Sequence, residues 1–119
     1  YTTTEILAAR AMGAHVIKVK LPTDFLEQDE AKKAYEKQKI VTGSQAERVA
    51  HIVQPCMNGR RIVVFSGGAA KGADAVYDDT RAIRDGGGNG SIIGRNAFQR
   101  PRDEALSMLQ KMIDIYKGK

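Results

Sequence analysis

The sequence has no tryptophan, a single cysteine and only three prolines among its 119 residues. With one thiol, Cys56, an internal disulfide is excluded, which fits a reducing compartment. No apolar run approaches the roughly 20 residues of a membrane crossing. The first residues, YTTTEILAARAMG, lack the basic stretch and apolar block of a secretory signal. These absences point to a soluble, cytoplasmic protein with no membrane partner. Zinc-finger spacings are missing too, and the lysines and arginines form no stripe but are scattered among acids. The net charge of +5, from 19 basic against 14 acidic residues, reads as a field that favours anionic partners in general, with little case for nucleic acid. No simple-sequence tract suggests disorder, and 42% hydrophobic residues over this length suit one modest core.

What is present is a succession of local signals. Thr2 with Glu5 has the spacing of a capping box, and the helix it would open runs to Met12 before Gly13 ends it. From Ala14 to Leu21 the side chains alternate, with Ala14, Val16, Lys18 and Lys20 on one face and His15, Ile17, Val19 and Leu21 on the other. Pro22 closes this strand. The charged segment from Asp24 to Lys39 predicts a solvated helix or lid-like excursion anchored by Phe25, Leu26, Ala31, Ala34 and Tyr35. Ser44 with Glu47 forms a second capping box, opening a helix whose expected inner stripe is Ala46, Val49, Ala50, Val53 and Met57, frayed by Pro55. Asn58-Gly59 marks a turn.

Arg60 to Ser66, RRIVVFS, is the strongest strand signal, and so apolar a run is expected to be covered on both faces, as in a parallel sheet. After GGAAKGA, a helix from about Asp74 to Asp85 should bury Ala73, Val76, Thr80 and Ile83. A short strand from Ser91 to Gly94 follows, then a last helix opened by Pro101 and lined by Ala105, Leu106, Leu109, Met112, Ile113 and Tyr116. The order is that of successive parallel βα units, an α/β fold.

In such a sheet, ligands bind beyond the carboxyl ends of the strands. The second strand ends in Ser66-Gly67-Gly68 and the third in Gly94-Arg95-Asn96, turns able to direct N–H groups at a phosphate. Neither turn matches the dinucleotide or triphosphate fingerprints, so no nucleotide cofactor is expected. The lysine pair can be read as solvated charges on an edge strand. Yet Ile17, Val19 and Leu21 occupy the face that helices should cover, which puts Lys18 and Lys20 on the other side, the interior of a closed barrel. A crowded ammonium loses its proton more readily, and a neutral lysine can form a Schiff base with a carbonyl substrate.

Together, Lys18 in VIKVK, the FSGG ending at Gly68 and GGGNGSIIGRNAFQRP from Gly86 to Pro101 resemble the class I fructose-bisphosphate aldolases of the archaeal and bacterial type. The resemblance spans nearly the whole chain. It implies the last three strands of a (β/α)8 TIM barrel, a fold of about 250 residues, and so a carboxyl-terminal fragment of a longer polypeptide that forms homo-oligomers. It also implies that Lys18 forms the Schiff base while Lys20 stands beside it as a second candidate catalytic residue. Ser66, Gly67, Gly68, Gly94 and Arg95 then bind a phosphorylated sugar substrate, without a metal or other cofactor. The family's aspartate and tyrosine come from earlier strands, and no residue here matches either. Tyr77 and Tyr116 fall on helices, and Tyr35 falls in the polar excursion. Two other readings remain: a related Schiff-base barrel enzyme, such as a thiolase acting on a phosphorylated dione, and a phosphate-binding module without catalysis.

Overall fold

The alternation in VIKVK becomes strand β1 (Val16–Lys20), with Ile17 and Val19 buried and Val16, Lys18 and Lys20 exposed. In the computed structural model, which describes residues 3–26, 28–67 and 69–118, α1 (Thr3–Ala11) precedes it. The expected capping residue Thr2 lies outside the described residues. After β1 come α2 (Asp29–Lys37), α3 (Gln45–Val53), β2 (Ile62–Ser66), α4 (Ala73–Asp85), β3 (Gly90–Ile92), α5 (Arg95–Phe98) and α6 (Arg102–Tyr116). The strands form one parallel sheet in the order β1-β2-β3. Among the described residues no helix is long and apolar enough to cross a membrane.

One face of this sheet carries the core. Ile17, Val19, Val63 and Phe65 pack with Ile6 of α1, Val49 and Ile52 of α3, Ile83 of α4, and Cys56. Each such fully buried side chain contributes about 1.5–3 kcal/mol relative to exposure. A second cluster, Val76 with Met108 and Met112, joins α4 to α6. Coverage of β2 on both faces is not found: Val63 and Phe65 are buried, but Ile62 is 49% exposed and Val64 and Ser66 are half-buried. The cause is that the described helices pack on one side only. The apolar side chains of the other side, Val16, Ile62 and Ile92, form an open face.

Two helices turn differently from expectation. In α3 the buried residues are Val49 and Ile52, continued by Cys56, whereas Ala50 and Met57 are exposed. In α6 they are Met108, Met112 and Ile115, while Leu106, Leu109 and Ile113 face outward. Both helices carry apolar residues around more than one stripe, and the stripe that fits its neighbour is the one buried. Of the expected anchors in the excursion, Phe25 and Ala34 are exposed, and α2 buries none of its residues.

The Ser44 box forms as the sequence predicts: Glu47 N–H donates to Ser44 Oγ at 3.2 Å, and Ser44 N–H donates to the Glu47 carboxylate at 2.8 Å. Replacing Ser44 with alanine is expected to cost about 1 kcal/mol, read as a lower urea midpoint at unchanged slope. The Ser44 backbone bond, then its hydroxyl, holds the Glu47 carboxyl below its usual range. A carboxyl lowered by folding stabilises above its unfolded pKa of roughly 4.3 and loses that contribution as pH falls through the folded value. The stability difference between wild type and Glu47→Gln should therefore shrink on acidification.

The glycine run before β3 is a packing device. A Cβ on Gly86 would lie 2.5 Å from Val49 Cγ1 and 2.6 Å from the Ala46 carbonyl oxygen, so its absence lets α3 approach the end of α4. A Cβ on Gly88 would meet Ile83 and Phe65. Asn89 then docks on β2, donating from its N–H to the Val63 carbonyl and accepting the Val63 N–H at its side-chain oxygen, both at 2.8 Å.

Candidate active site

Parallel pairing fixes which residues share a level on the open face. Lys18 pairs with Val64, and Val64 with Gly90; Lys20 pairs with Ser66, and Ser66 with Ile92. Paired residues of neighbouring strands point to the same side of the sheet. Lys18 and Lys20 therefore stand one above the other beside Val64 and Ser66, with Lys20 nearer the carboxyl ends. From strand rise and spacing, the Lys18 and Ser66 Cα atoms are roughly 8 Å apart, about the span of a small phosphorylated ketone. A Cβ on Gly90 would meet nothing within 4 Å, so the third strand leaves space at the level of Lys18. Both lysines are exposed, because the described elements leave this face open.

The turn after β2 is reached at Ser66. Its hydroxyl donates to the Val19 carbonyl at 3.4 Å, a long bond that ties the rim of β2 to β1. Gly67 N–H is taken by the Ile92 carbonyl at 3.3 Å, so the ladder between β2 and β3 runs one residue past the strand. Gly68 lies outside the described residues. After β3, Gly94 caps α5 and its carbonyl accepts the N–H groups of Ala97 and Phe98 at 2.8 and 3.1 Å. Arg95 follows it, exposed. The helix α5 is too short to leave a period in the sequence, and expectation passed over it.

Between these turns stands a residue to whose side chain sequence reasoning gave no role. Asn96 is 4% exposed, and its side chain spans to the other turn. Its oxygen accepts the Lys71 N–H at 2.8 Å and its nitrogen donates to the Ala69 carbonyl at 3.2 Å. Arg100 completes the link: its Nε donates to the Asn96 carbonyl at 2.7 Å and its Nη2 to the Lys71 carbonyl at 2.6 Å. Lys71 itself pairs with Asp79 of α4. The one available signal was GRNAFQRP, where a polar amide sits between a strand end and an apolar pair.

On the helix-covered flank, the excursion leans on α3. Tyr35 and His51 Nε2 are 2.5 Å apart and their rings meet edge-on. Burial pushes the His51 imidazole below its ordinary range and the Tyr35 phenol above its own, so both are neutral near pH 7. They line a cavity of about 160 Å³ with Asp24, Arg48 and Ile6. Tyr35 is thus engaged with α3.

The arrangement puts a primary amine on an open sheet face, one level below a rim where two strand-end turns meet. Such an amine can attack a carbonyl while the rim holds an anionic tail. A family model described as DeoC/LacD family aldolase matches residues 2–100, a range that takes in all three strands, both turns and Arg95. No solved structure matches the chain.

Proposed function

Because the chain belongs to the DeoC/LacD family of aldolases, and its parallel β/α units match part of a (β/α)8 barrel, we propose that it works as a Schiff-base lyase on a phosphorylated ketose, with Lys18 as the amine. The observation that supports this reading is the placement of Lys18 on the open face, paired to Val64 and one level below Ser66. The finer reading is that the ketose is fructose 1,6-bisphosphate.

The Lys18 amine adds to the ketose carbonyl and water leaves, giving an iminium. The hydroxyl on the carbon beyond the scissile bond gives up its proton, the C3–C4 bond breaks, and its electron pair moves into the iminium to form an enamine. Glyceraldehyde 3-phosphate departs. Protonation of the enamine and hydrolysis release dihydroxyacetone phosphate and restore the amine. Charge-assisted hydrogen bonds from Arg95, together with N–H groups of the turn that follows Gly67, whose own N–H is engaged by Ile92, and of Gly94, would hold a substrate phosphate. The proton-transfer groups come, in this reading, from strands that complete the barrel over the open face, as part of a longer polypeptide.

The family match is broader than one substrate, which favours a second reading on the same residues: a related Schiff-base enzyme, such as one cleaving a phosphorylated dione. A panel of fructose 1,6-bisphosphate, other phosphorylated ketoses and the dione, assayed on the intact protein, separates them. Incubation with dihydroxyacetone phosphate and borohydride is expected to leave a reduced adduct on Lys18. Turnover without any trappable adduct would overturn the Schiff-base reading altogether.

A further inference from the structure

We infer that Asn96 and Arg100 are positioning residues that lock the turn after β2 to the turn after β3, so that the two turns hold a substrate phosphate as one cradle. The inference rests on the reading of these turns as a phosphate site. It goes further in naming what sets their separation.

A phosphate gripped by two loops is held well only if the loops keep their distance, because donors misplaced by even 1 Å lose much of a hydrogen bond's strength. Loops of this composition have little to fix them: Gly67, Gly68, Ala69 and Ala70 carry no side chain long enough to tie the turn down. The tie comes from the other turn. Asn96, adjacent in sequence to Arg95, uses its oxygen and its nitrogen on two backbone groups of the β2–α4 loop, Lys71 N–H and Ala69 C=O. Arg100, one helical turn on, grips the Lys71 carbonyl and the Asn96 carbonyl with one guanidinium. Both carbonyl and N–H of Lys71 are thereby fixed from the α5 side, while its ammonium is fixed to α4 through Asp79. An amide buried to 4% exposure whose oxygen and nitrogen both bond backbone of a neighbouring loop has a single geometry available. Arg95 is carried on the same short helix, so the clamp sets the position of the cation relative to the loop at Ala69 and Lys71.

The test compares a phosphorylated ketose with the same ketone lacking phosphate, using the intact protein. Asn96→Ala leaves the Lys71 N–H and Ala69 carbonyl without their partner, a loss that corresponds to roughly tenfold or more. The expected result is a rise of that size in KM for the phosphorylated substrate, little change in kcat, and an unchanged rate for the unphosphorylated ketone. Arg100→Gln, which spares both bonds of the Asn96 amide, is expected to show the same split with smaller size and serves if Asn96→Ala does not fold. Asn96→Asp keeps the acceptor for Lys71 N–H and should recover part of the loss. Equal effects on both substrates, or none on either, would overturn the inference. Arg95→Ala separates it from the reading beneath: if that variant erases the preference for phosphate while Asn96→Ala and Arg100→Gln retain it, the site stands and the clamp falls. If the wild type shows no preference for phosphate, the site itself falls.

Discussion

Lys18→Met is expected to lose the borohydride-trapped adduct and at least about a thousandfold in turnover, the scale seen when a covalent nucleophile is removed. Methionine keeps an unbranched chain at an exposed strand position, so stability should stay within about 0.5 kcal/mol of wild type. Lys20→Met is the matched comparison. Its level with Ser66 places Lys20 at the rim, where loss of a positive charge should weaken binding of a phosphorylated substrate by about tenfold or less while the adduct still forms. Mass spectrometry of the trapped protein decides between the two amines. An adduct that survives in Lys18→Met and vanishes in Lys20→Met would reverse the assignment.

Gly86→Ala should produce the largest loss of stability available from a single added methyl group. The new carbon would sit 2.5 Å from Val49 Cγ1, and rotation of that valine offers no escape because the Ala46 carbonyl oxygen lies 2.6 Å away. Relief requires α3 to move off α4, which unpacks Val49, a side chain with no exposed surface. Overpacking of this kind costs about 1–3 kcal/mol, and a backbone obstacle places this case toward the upper end. Gly43→Ala is the control, since its added carbon meets only Glu47 Oε2 at an ordinary 3.6 Å. Urea unfolding of both variants gives the comparison, and a Gly86→Ala midpoint equal to that of Gly43→Ala would remove the close-approach explanation of the glycine run.

Local signals were legible in the sequence and long-range choices were not. The box at Ser44 and Glu47 depends only on residues three apart, and it forms. The alternation around Lys18 depends only on strand period, and the lysines do stand opposite the buried Ile17 and Val19. The order of strands and helices, apart from the short α5, followed from the same signals. By contrast, α6 offers Leu106, Leu109 and Ile113 on one side of Met112, which is buried as expected, and Met108 and Ile115 on the other. Period alone cannot say which of two apolar stripes meets Val76. The same ambiguity displaced Ala50 and Met57 in favour of Ile52 and Cys56. The candidate amine was visible because a lysine among valines breaks a pattern. The role of the Asn96 side chain was not, because its partners Ala69 and Lys71 are distant in sequence and contribute only backbone atoms.

The lack of any buried residue in α2 bears on how this architecture can vary in length. The register that sets Lys18 against Val64 is held by the strands and by the helices packed beneath them, and α2 adds no core residue to that set. Loop closure entropy grows only logarithmically, so doubling the connection from β1 to α3 would cost about 0.6 kcal/mol. Residues can be added or removed there, outside the Tyr35–His51 contact, without shifting Lys18 along its strand. The segment that leaves the carboxyl end of the lysine strand is thus open to insertion, and a change in its length can reshape what surrounds the amine while leaving the amine in place.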